Sequence, residues 1–299
     1  MSVSPPLVGV LGGGLMGTGI AEAIARSGYE VRLFEPIASH RWRSRARLEQ
    51  SVQKGVGNGR LTVAGSASVL ELVRYVDVID ELAGSQVVIE AVVEDRDVKL
   101  EYFRRLDSHV AVDALLASNT SSIPIAGLAS VVRCPERVLG LHFFSPAPVM
   151  KLVEVVSALG TGAEAKARAE AFVTSLGKTP IATKDRSGFI VNMLLIPYLM
   201  AAVRMVEEGF ATREDIDAGM KLGCGHPMGP LSLCDFIGLD VLYAICDSLY
   251  DEFKRPEYAP PPLLKRMLAT GWLGRKSGRG FFEYAGAEDR EPAPLAATA

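Results

Sequence analysis

The chain has 299 residues, 48% hydrophobic and 22% charged, ordinary proportions for a protein that buries a sizeable core, and at ~150 residues per domain its length points to two domains. Its 32 Lys+Arg against 35 Asp+Glu leave a net charge of −3, a near balance that argues against nucleic acid or an anionic membrane as the main partner. The four cysteines, Cys134, Cys224, Cys234 and Cys246, form no CxxC pair and no zinc-type cluster, so free thiols in a reducing cytoplasm, and no metal, are expected.

Residues Met1–Pro6 show neither a basic n-region nor an apolar h-region, so no signal peptide is expected. The most apolar run, Phe189–Val203, contains Asn192 and Pro197 and falls short of the ~20 residues that cross a bilayer. Leu7–Leu11 reads as a strand, Gly12–Gly17 as a turn, Met16–Ala25 as a helix and Tyr29–Phe34 as a second strand. Arg41–Gln53 has a charged helical pattern, and Gly55, Gly57, Gly59 and Gly65 predict an irregular excursion after it.

Val87–Val93 and Lys99–Leu106 form another strand–helix unit, and Leu115–Ala117, Val138–Leu141 and Leu152–Val156 read as further strands. A helix at Ala163–Leu176 and a last strand at Pro180–Thr183 close the first domain. The alternation predicts an α/β fold, a doubly wound Rossmann-type sheet with helices on its faces. Helical patterns then follow at Phe189–Glu208, Thr212–Leu222, Leu231–Leu249 and Pro262–Ala269. The expected division is 1–184 for the sheet domain, 185–285 for an all-helical domain, and a disordered Ala/Pro/Glu-rich tail at 286–299.

Gly12-Gly13-Gly14-Leu15-Met16-Gly17 fits G-x-G-x-x-G in the required context, after an apolar strand and at the start of a helix. Gly12 permits the tight turn, Gly14 lets a pyrophosphate approach the backbone, and Gly17 allows close helix–strand packing. The helix start at Leu15 and Met16 supplies amide donors. Glu35, at the end of the second strand, suits a ribose diol and repels a 2′-phosphate, which favours NAD over NADP.

His142 ends an apolar run, and Glu154 lies twelve residues on between Val153 and Val155. If the intervening turn folds the segments together, the pair makes a general base whose carboxylate fixes the imidazole tautomer. A satisfied core histidine beside a solvent-facing glutamate fits the same spacing. Ser118–Ser122 reads either as a helix cap or as the lining of a crevice at the strands' carboxyl ends. Asn192 is either a helix-packing amide or a site residue.

Taken together, the chain from Val8 to Tyr284 resembles the 3-hydroxyacyl-CoA dehydrogenase family. The resemblance rests on GGGLMGTGIA at 12–21, VIEAVVEDRDVK at 88–99, SNTSS at 118–122 and RVLGLHFFSPAPVMKLVEVV at 137–156. It continues through GFIVN at 188–192, EDIDAGMKLGCGHPMGPLSLCDFIGLD at 214–240 and GWLGRKSGRGFFEY at 271–284. It implies a catalytic pair at His142 and Glu154, with Ser121 and Asn192 holding the substrate oxygen and the nicotinamide region. It further implies NAD contacts at Glu94, Lys99, Ser121, Ser145 and Lys276, oxidation of a short-chain 3-hydroxyacyl-CoA, and a homodimer formed through the helical domain. Alternatives are the same chemistry on an acyl-carrier-protein thioester, a free hydroxy acid or sugar acid dehydrogenase, and a non-catalytic NAD-binding protein.

The chain departs from the family pattern in four places. Ser145 stands where many members have Asn, Arg186-Ser187-Gly188 replaces a usual Pro-Gly, and Met193 replaces a frequent Arg. Residues 54–66 are glycine-rich where relatives carry a helical excursion with coenzyme A contacts. Arg41, Arg43, Arg45, Arg47, Lys54 and Arg60 lie in that region, either as anchors for the carrier or as a solvated helix face.

Overall fold

The computed structural model of the chain describes residues 6–284, so the tail expected at 286–299 lies outside the described residues. The chain divides into two compact units, with the break between Phe189 and Ile190, five residues beyond the expected Lys184.

The first unit opens with β1 (Leu7–Leu11), α1 (Leu15–Ala25) and β2 (Glu30–Phe34). Then come α2 (Ala38–Gly57), α3 (Val63–Leu72), β3 (Val73–Val76) and β4 (Val87–Glu90). Next are α4 (Arg96–His109), β5 (Leu115–Ser118), α5 (Ile125–Ala129) and β6 (Val138–Phe143). The unit closes with β7 (Leu152–Ser157), α6 (Ala163–Ser175) and β8 (Thr179–Lys184). The eight strands form one sheet in the order β3-β2-β1-β4-β5-β6-β7-β8. All neighbours run parallel except β6 and β7, which are antiparallel.

Alternation along the strands sends side chains into two separate cores. Val8, Val10, Val31, Leu33 and Ile89 pack with α1, α2 and α6, while Leu11, Val88 and Leu116 pack with α4 and α5. A sheet covered on both faces needs nearly continuous apolar strands, which is what these segments supply. The strand order reverses at β1, whose neighbours are β2 and β4, so the switch point at which such sheets bind ligands lies at the carboxyl ends of β1 and β4.

The irregular excursion expected after Gln53 is instead a pair of helices. Gly55 lies inside α2, where an added Cβ would sit 3.0 Å from Leu61 Cδ1, so its smallness serves close packing. Gly65 belongs to the first turn of α3, and its N–H donates to the Thr62 hydroxyl that caps this helix (3.0 Å).

The second unit contains α7 (Val191–Glu207), α8 (Arg213–Cys224), α9 (Pro230–Ile237), α10 (Leu239–Phe253) and α11 (Pro262–Ala269). The single helix read across Leu231–Leu249 is broken at Gly238, whose φ of 98° is open to glycine and strained for other residues. Ile196, Leu199, Met200, Leu242, Cys246 and Leu249 fill this unit's own core. No described helix is long and apolar enough to cross a membrane.

Candidate active site

The glycine turn is shaped by contacts that leave no room for side chains at two of its positions. A Cβ on Gly12, whose φ is 98°, would lie 2.6 Å from the Ala91 carbonyl oxygen, and one on Gly17 would lie 1.9 Å from that of Gly12. Gly14 faces open space, with nothing within 4 Å of its Cβ position. It is the N-cap of α1, which has no side-chain cap and no acidic residue in its first turn. The amides around Leu15 and Met16 are therefore available to a phosphate, which the helix dipole favours.

Glu35 follows β2 directly. Its carboxylate accepts from Gly13 N–H (3.0 Å) and Ile37 N–H (3.2 Å), which holds it against the turn. The next peptide, on the other side of Gly13, is gripped by Arg47, whose Nη1 donates to the Gly13 carbonyl (3.1 Å). Thr18 Oγ1, on the first turn of α1, hydrogen-bonds the buried Ser44 hydroxyl of α2 at 2.7 Å. Ser44 was not singled out from sequence, and Arg47 was read there only as a carrier anchor or a solvated face. Arg41 is also turned inward, donating to the Glu35 and Pro36 carbonyls and pairing with Asp77. Of the cations read as anchors for a carrier, Arg41 and Arg47 are thus committed to the nucleotide end, while Arg43, Arg45, Lys54 and Arg60 are exposed.

Lys99 lies on the buried side of α4. Its ammonium is buried to 1% exposure between Glu90 (2.6 Å) and Glu94 (3.1 Å). Glu90, missed in the sequence, is wholly buried at the end of β4 and also accepts from Val92 N–H and the Ser118 hydroxyl. Glu94 gathers the polar loop after β5, accepting from the Thr120 hydroxyl, Ser121 N–H and the Ser122 hydroxyl. Burial alone would raise the Glu94 carboxyl, but the Lys99 ammonium and these hydroxyls outweigh it and hold it below the usual carboxylate range.

The antiparallel pairing of β6 and β7 sets His142 directly opposite Glu154. Nδ1 lies 2.7 Å from Glu154 Oε2, with His142 at 7% exposure and Glu154 at 0%. An ionised carboxylate only accepts, so the network assigns the proton to Nδ1 and the lone pair to Nε2. The rings of Phe144 and Phe189 pack on the imidazole, with centroids at 4.6 and 5.4 Å.

Ser145 is exposed in the turn between these strands. That turn is pinned by Lys178, whose ammonium donates to the Ala147 (2.7 Å) and Met150 (2.6 Å) carbonyls. Burial, with the Arg26 cation nearby, pushes Lys178 down to about 8. Asn119 fixes the end of β6 by accepting from Phe143 N–H (2.8 Å). The structure therefore brings together, within the first unit, Gly12, Gly14, Gly17 and Glu35 at the turn, Glu94, Lys99 and Ser121 in one polar network, and His142 with Glu154.

Asn192 and Lys276 belong to the second unit. Asn192 is buried on the first turn of α7. Lys276 pairs with Asp240 and lies in the segment 274–284, which is anchored by Asp235. The Asp235 carboxylate accepts from the N–H groups of Phe281 and Phe282 and from the Tyr284 hydroxyl, each at 2.9 Å. Gly274 and Gly280 allow this approach, since a Cβ on either would come within 2.3 Å of Asp235 atoms.

A mostly parallel sheet with a glycine turn and an acid after β2 defines a dinucleotide-binding domain, here joined to a helical unit. The family model for the 3-hydroxyacyl-CoA dehydrogenase NAD binding domain matches residues 7–186, and the model for the C-terminal domain of the same enzymes matches residues 188–284. The chain belongs to the 3-hydroxyacyl-CoA dehydrogenase family. A 3-hydroxybutyryl-CoA dehydrogenase from Mycobacterium tuberculosis is 51% identical over 286 residues, covering 95% of this chain and 100% of that protein. The crystal structure of M. tuberculosis FadB2 superposes with a TM-score of 0.92 at 51% identity, covering 95% of this chain and 100% of that one. That of (S)-3-hydroxybutyryl-CoA dehydrogenase from Ralstonia eutropha gives 0.87 at 41% identity, again covering 95% and 100%.

Proposed function

We propose that the protein oxidises a short-chain 3-hydroxyacyl-CoA reversibly to the 3-oxoacyl-CoA, with His142 as general acid and base. The observation that carries this reading is the buried 2.7 Å contact between His142 Nδ1 and Glu154. It leaves Nε2 to take the hydroxyl proton, while Glu154 stabilises the imidazolium that results. The substrate class is supported by relatives named 3-hydroxybutyryl-CoA dehydrogenase at 51% identity.

NAD, when bound, supplies the two-electron acceptor. The open space at Gly14, the amides at Leu15 and Met16 and the carboxylate of Glu35 suit its pyrophosphate and adenosine ribose. Gly12 and Gly17 keep the turn tight. Glu94, with Lys99 behind it, shapes the Ser121 loop at the nicotinamide end, and Ser145 and Lys276 complete the cofactor contacts. Ser121 and Asn192 are the polar residues we assign to the substrate oxygen and the nicotinamide region, and in reduction protonated His142 and Ser121 polarise the carbonyl.

Coenzyme A as carrier is supported by α2 and α3, since a helical excursion with exposed Arg43, Arg45 and Lys54 offers cations to phosphate groups. A homodimer through the helical unit is supported by Leu194, Phe210 and Leu222, which are 73%, 75% and 87% exposed there. Four free cysteines suit a reducing cytoplasm.

NADH formation across a panel tests the reading. Turnover of 3-hydroxybutyryl-CoA well above that of the matching carrier-protein thioester and of free 3-hydroxybutyrate is expected. Preference for the free acid would overturn it, and preference for the carrier-protein thioester would reassign the carrier.

A further inference from the structure

The segment that leaves β8 carries more hydrogen bonds than a connector needs. The Asp185 carboxylate accepts from the N–H groups of Ile125 (2.9 Å) and Ala126 (2.7 Å) at the start of α5. The hydroxyl of Ser187, a buried side chain, donates to the Ser122 carbonyl (3.0 Å), and Gly188 N–H donates to that of Ser121 (3.2 Å). Ser187 and Gly188 therefore strap this segment to the loop that carries Ser121, and Asp185 ties it to the helix that follows that loop.

The strap ends on Phe189, which has a φ of 47°. A bulky residue in the left-handed region is an outlier, and it persists only where its surroundings over-determine it. Here Phe189 N–H closes a turn onto the Arg186 carbonyl (2.9 Å), and the ring is 5% exposed. It lies 5.4 Å from the His142 ring with an interplanar angle of 59°, and Phe144 packs against the same imidazole. The Glu154 hydrogen bond fixes one nitrogen of His142, and a single bond of this kind does not fix the tilt of the ring.

We propose that Phe189 is a positioning residue: strapped to the Ser121 loop through Ser187 and Gly188, it holds the His142 imidazole at the tilt that aims Nε2 at the substrate hydroxyl. The inference rests on His142 being the base. Because the strap and the Ser121 loop are bonded to each other, the base and the oxygen-binding loop keep a common register. The backbone strain at Phe189 is the consequence of placing a ring against His142 immediately after a strap that ends at Gly188.

Steady-state kinetics with 3-hydroxybutyryl-CoA and NAD on Phe189→Leu, His142→Ala and their combination test the proposal. Leucine keeps apolar volume and removes the ring. Phe189→Leu is expected to lower kcat by at least ~10-fold, since small misplacement of a catalytic group is that costly, with the KM for NAD within about twofold of wild type. In the His142→Ala background, Phe189→Leu has no further effect on residual turnover, because the ring acts through the imidazole. Wild-type kcat in Phe189→Leu, or an equal loss in both backgrounds, would overturn the proposal. A His142→Ala enzyme of full activity would overturn the base assignment itself. If Phe189→Leu is unfolded by circular dichroism, Ser187→Ala, which keeps the ring and cuts one anchor, carries the test. A several-fold loss of kcat that disappears in the His142→Ala background is then expected, and unchanged kcat would overturn the proposal.

Discussion

His142 and Glu154 occupy directly opposed positions on the antiparallel strands β6 and β7, with Nδ1 2.7 Å from Oε2. Directly opposed side chains are close neighbours on one face of a sheet, so the strand pairing itself sets the hydrogen bond. His142→Ala and Glu154→Gln are each expected to lower kcat by ~10²–10⁴-fold, the usual contribution of a positioned acid–base group. Binding of NAD, measured by calorimetry, stays near wild type because neither residue lies at the glycine turn. A Glu154→Gln enzyme with full activity and an unaltered pH–rate profile would break the pair.

Gly13 is held by Glu35 on its N–H and by Arg47 on its carbonyl. Arg47→Ala is therefore expected to raise the KM for NAD several-fold while leaving the KM for 3-hydroxybutyryl-CoA alone. Glu35→Ser should narrow the preference for NAD over NADP by removing the charge that repels a 2′-phosphate. Wild-type discrimination in Glu35→Ser, measured as the ratio of kcat/KM values, would reassign that carboxylate.

How much of this was open to sequence reading follows from where each partner lies along the chain. The spacing of His142 and Glu154 left their pairing open and the family resemblance supplied it, because only the antiparallel register of β6 and β7 sets the two side chains opposite each other. The glycine turn was legible because strand, turn, helix and acid follow in order. Arg47 acts on a residue 34 positions away, and Asp185 caps a helix 60 positions away. No local periodicity reports such pairs. Gly55 and Gly65 were read as helix breakers because propensity carries no knowledge of Leu61 packing or of the Thr62 cap. The break at Gly238 was hidden for the opposite reason: α9 and α10 feed one core, so the apolar pattern runs on through the turn.

Lys99 and Glu90 are an almost dry ion pair, at 1% and 0% exposure. Removing one member of such a pair strands the other charge, which typically costs ~3–5 kcal/mol, whereas replacing both is much less damaging. Lys99→Met should accordingly lower stability more than the Lys99→Met/Glu90→Gln double variant does. Chemical denaturation of both variants checks this, and equal losses would show that the charges do not compensate each other. Because Glu94 is held below its ordinary value in the folded chain, its contribution is present above the ordinary carboxylate range. That contribution is lost as pH falls through the folded value, so Thr120→Val should unfold at a higher pH in an acid titration.

Lys178 gives the opposite dependence. Its ammonium sits at about 8 in the folded protein against 10.5 for the ordinary group, so between those values the unfolded chain binds more protons. Stability from this site therefore rises with pH across that window, and the cost of burying the charge is fully present below it. Lys178→Met should flatten the slope of unfolding free energy against pH between about 8 and 10.5. An unchanged slope would show that another group sets it.

The cations of α2 divide into two sets with different expected effects. Arg41 and Arg47 are hydrogen-bonded to Glu35, Pro36 and Gly13 carbonyls at the nucleotide end. Arg43, Arg45 and Lys54 are exposed on the helical pair, and Arg45 lies over the Tyr75 ring at 5.4 Å. Coenzyme A carries several phosphate charges, so cations at the mouth of its site should act on binding and leave the chemical step alone. Replacing Arg43, Arg45 and Lys54 together with Ala is expected to raise the KM for 3-hydroxybutyryl-CoA several-fold at unchanged kcat. The effect should shrink as salt is added, because exposed charges are screened over ~8–10 Å at physiological ionic strength. If the KM for the coenzyme A ester stays put while that for an acyl-carrier-protein thioester rises, the exposed set serves an acidic protein surface instead.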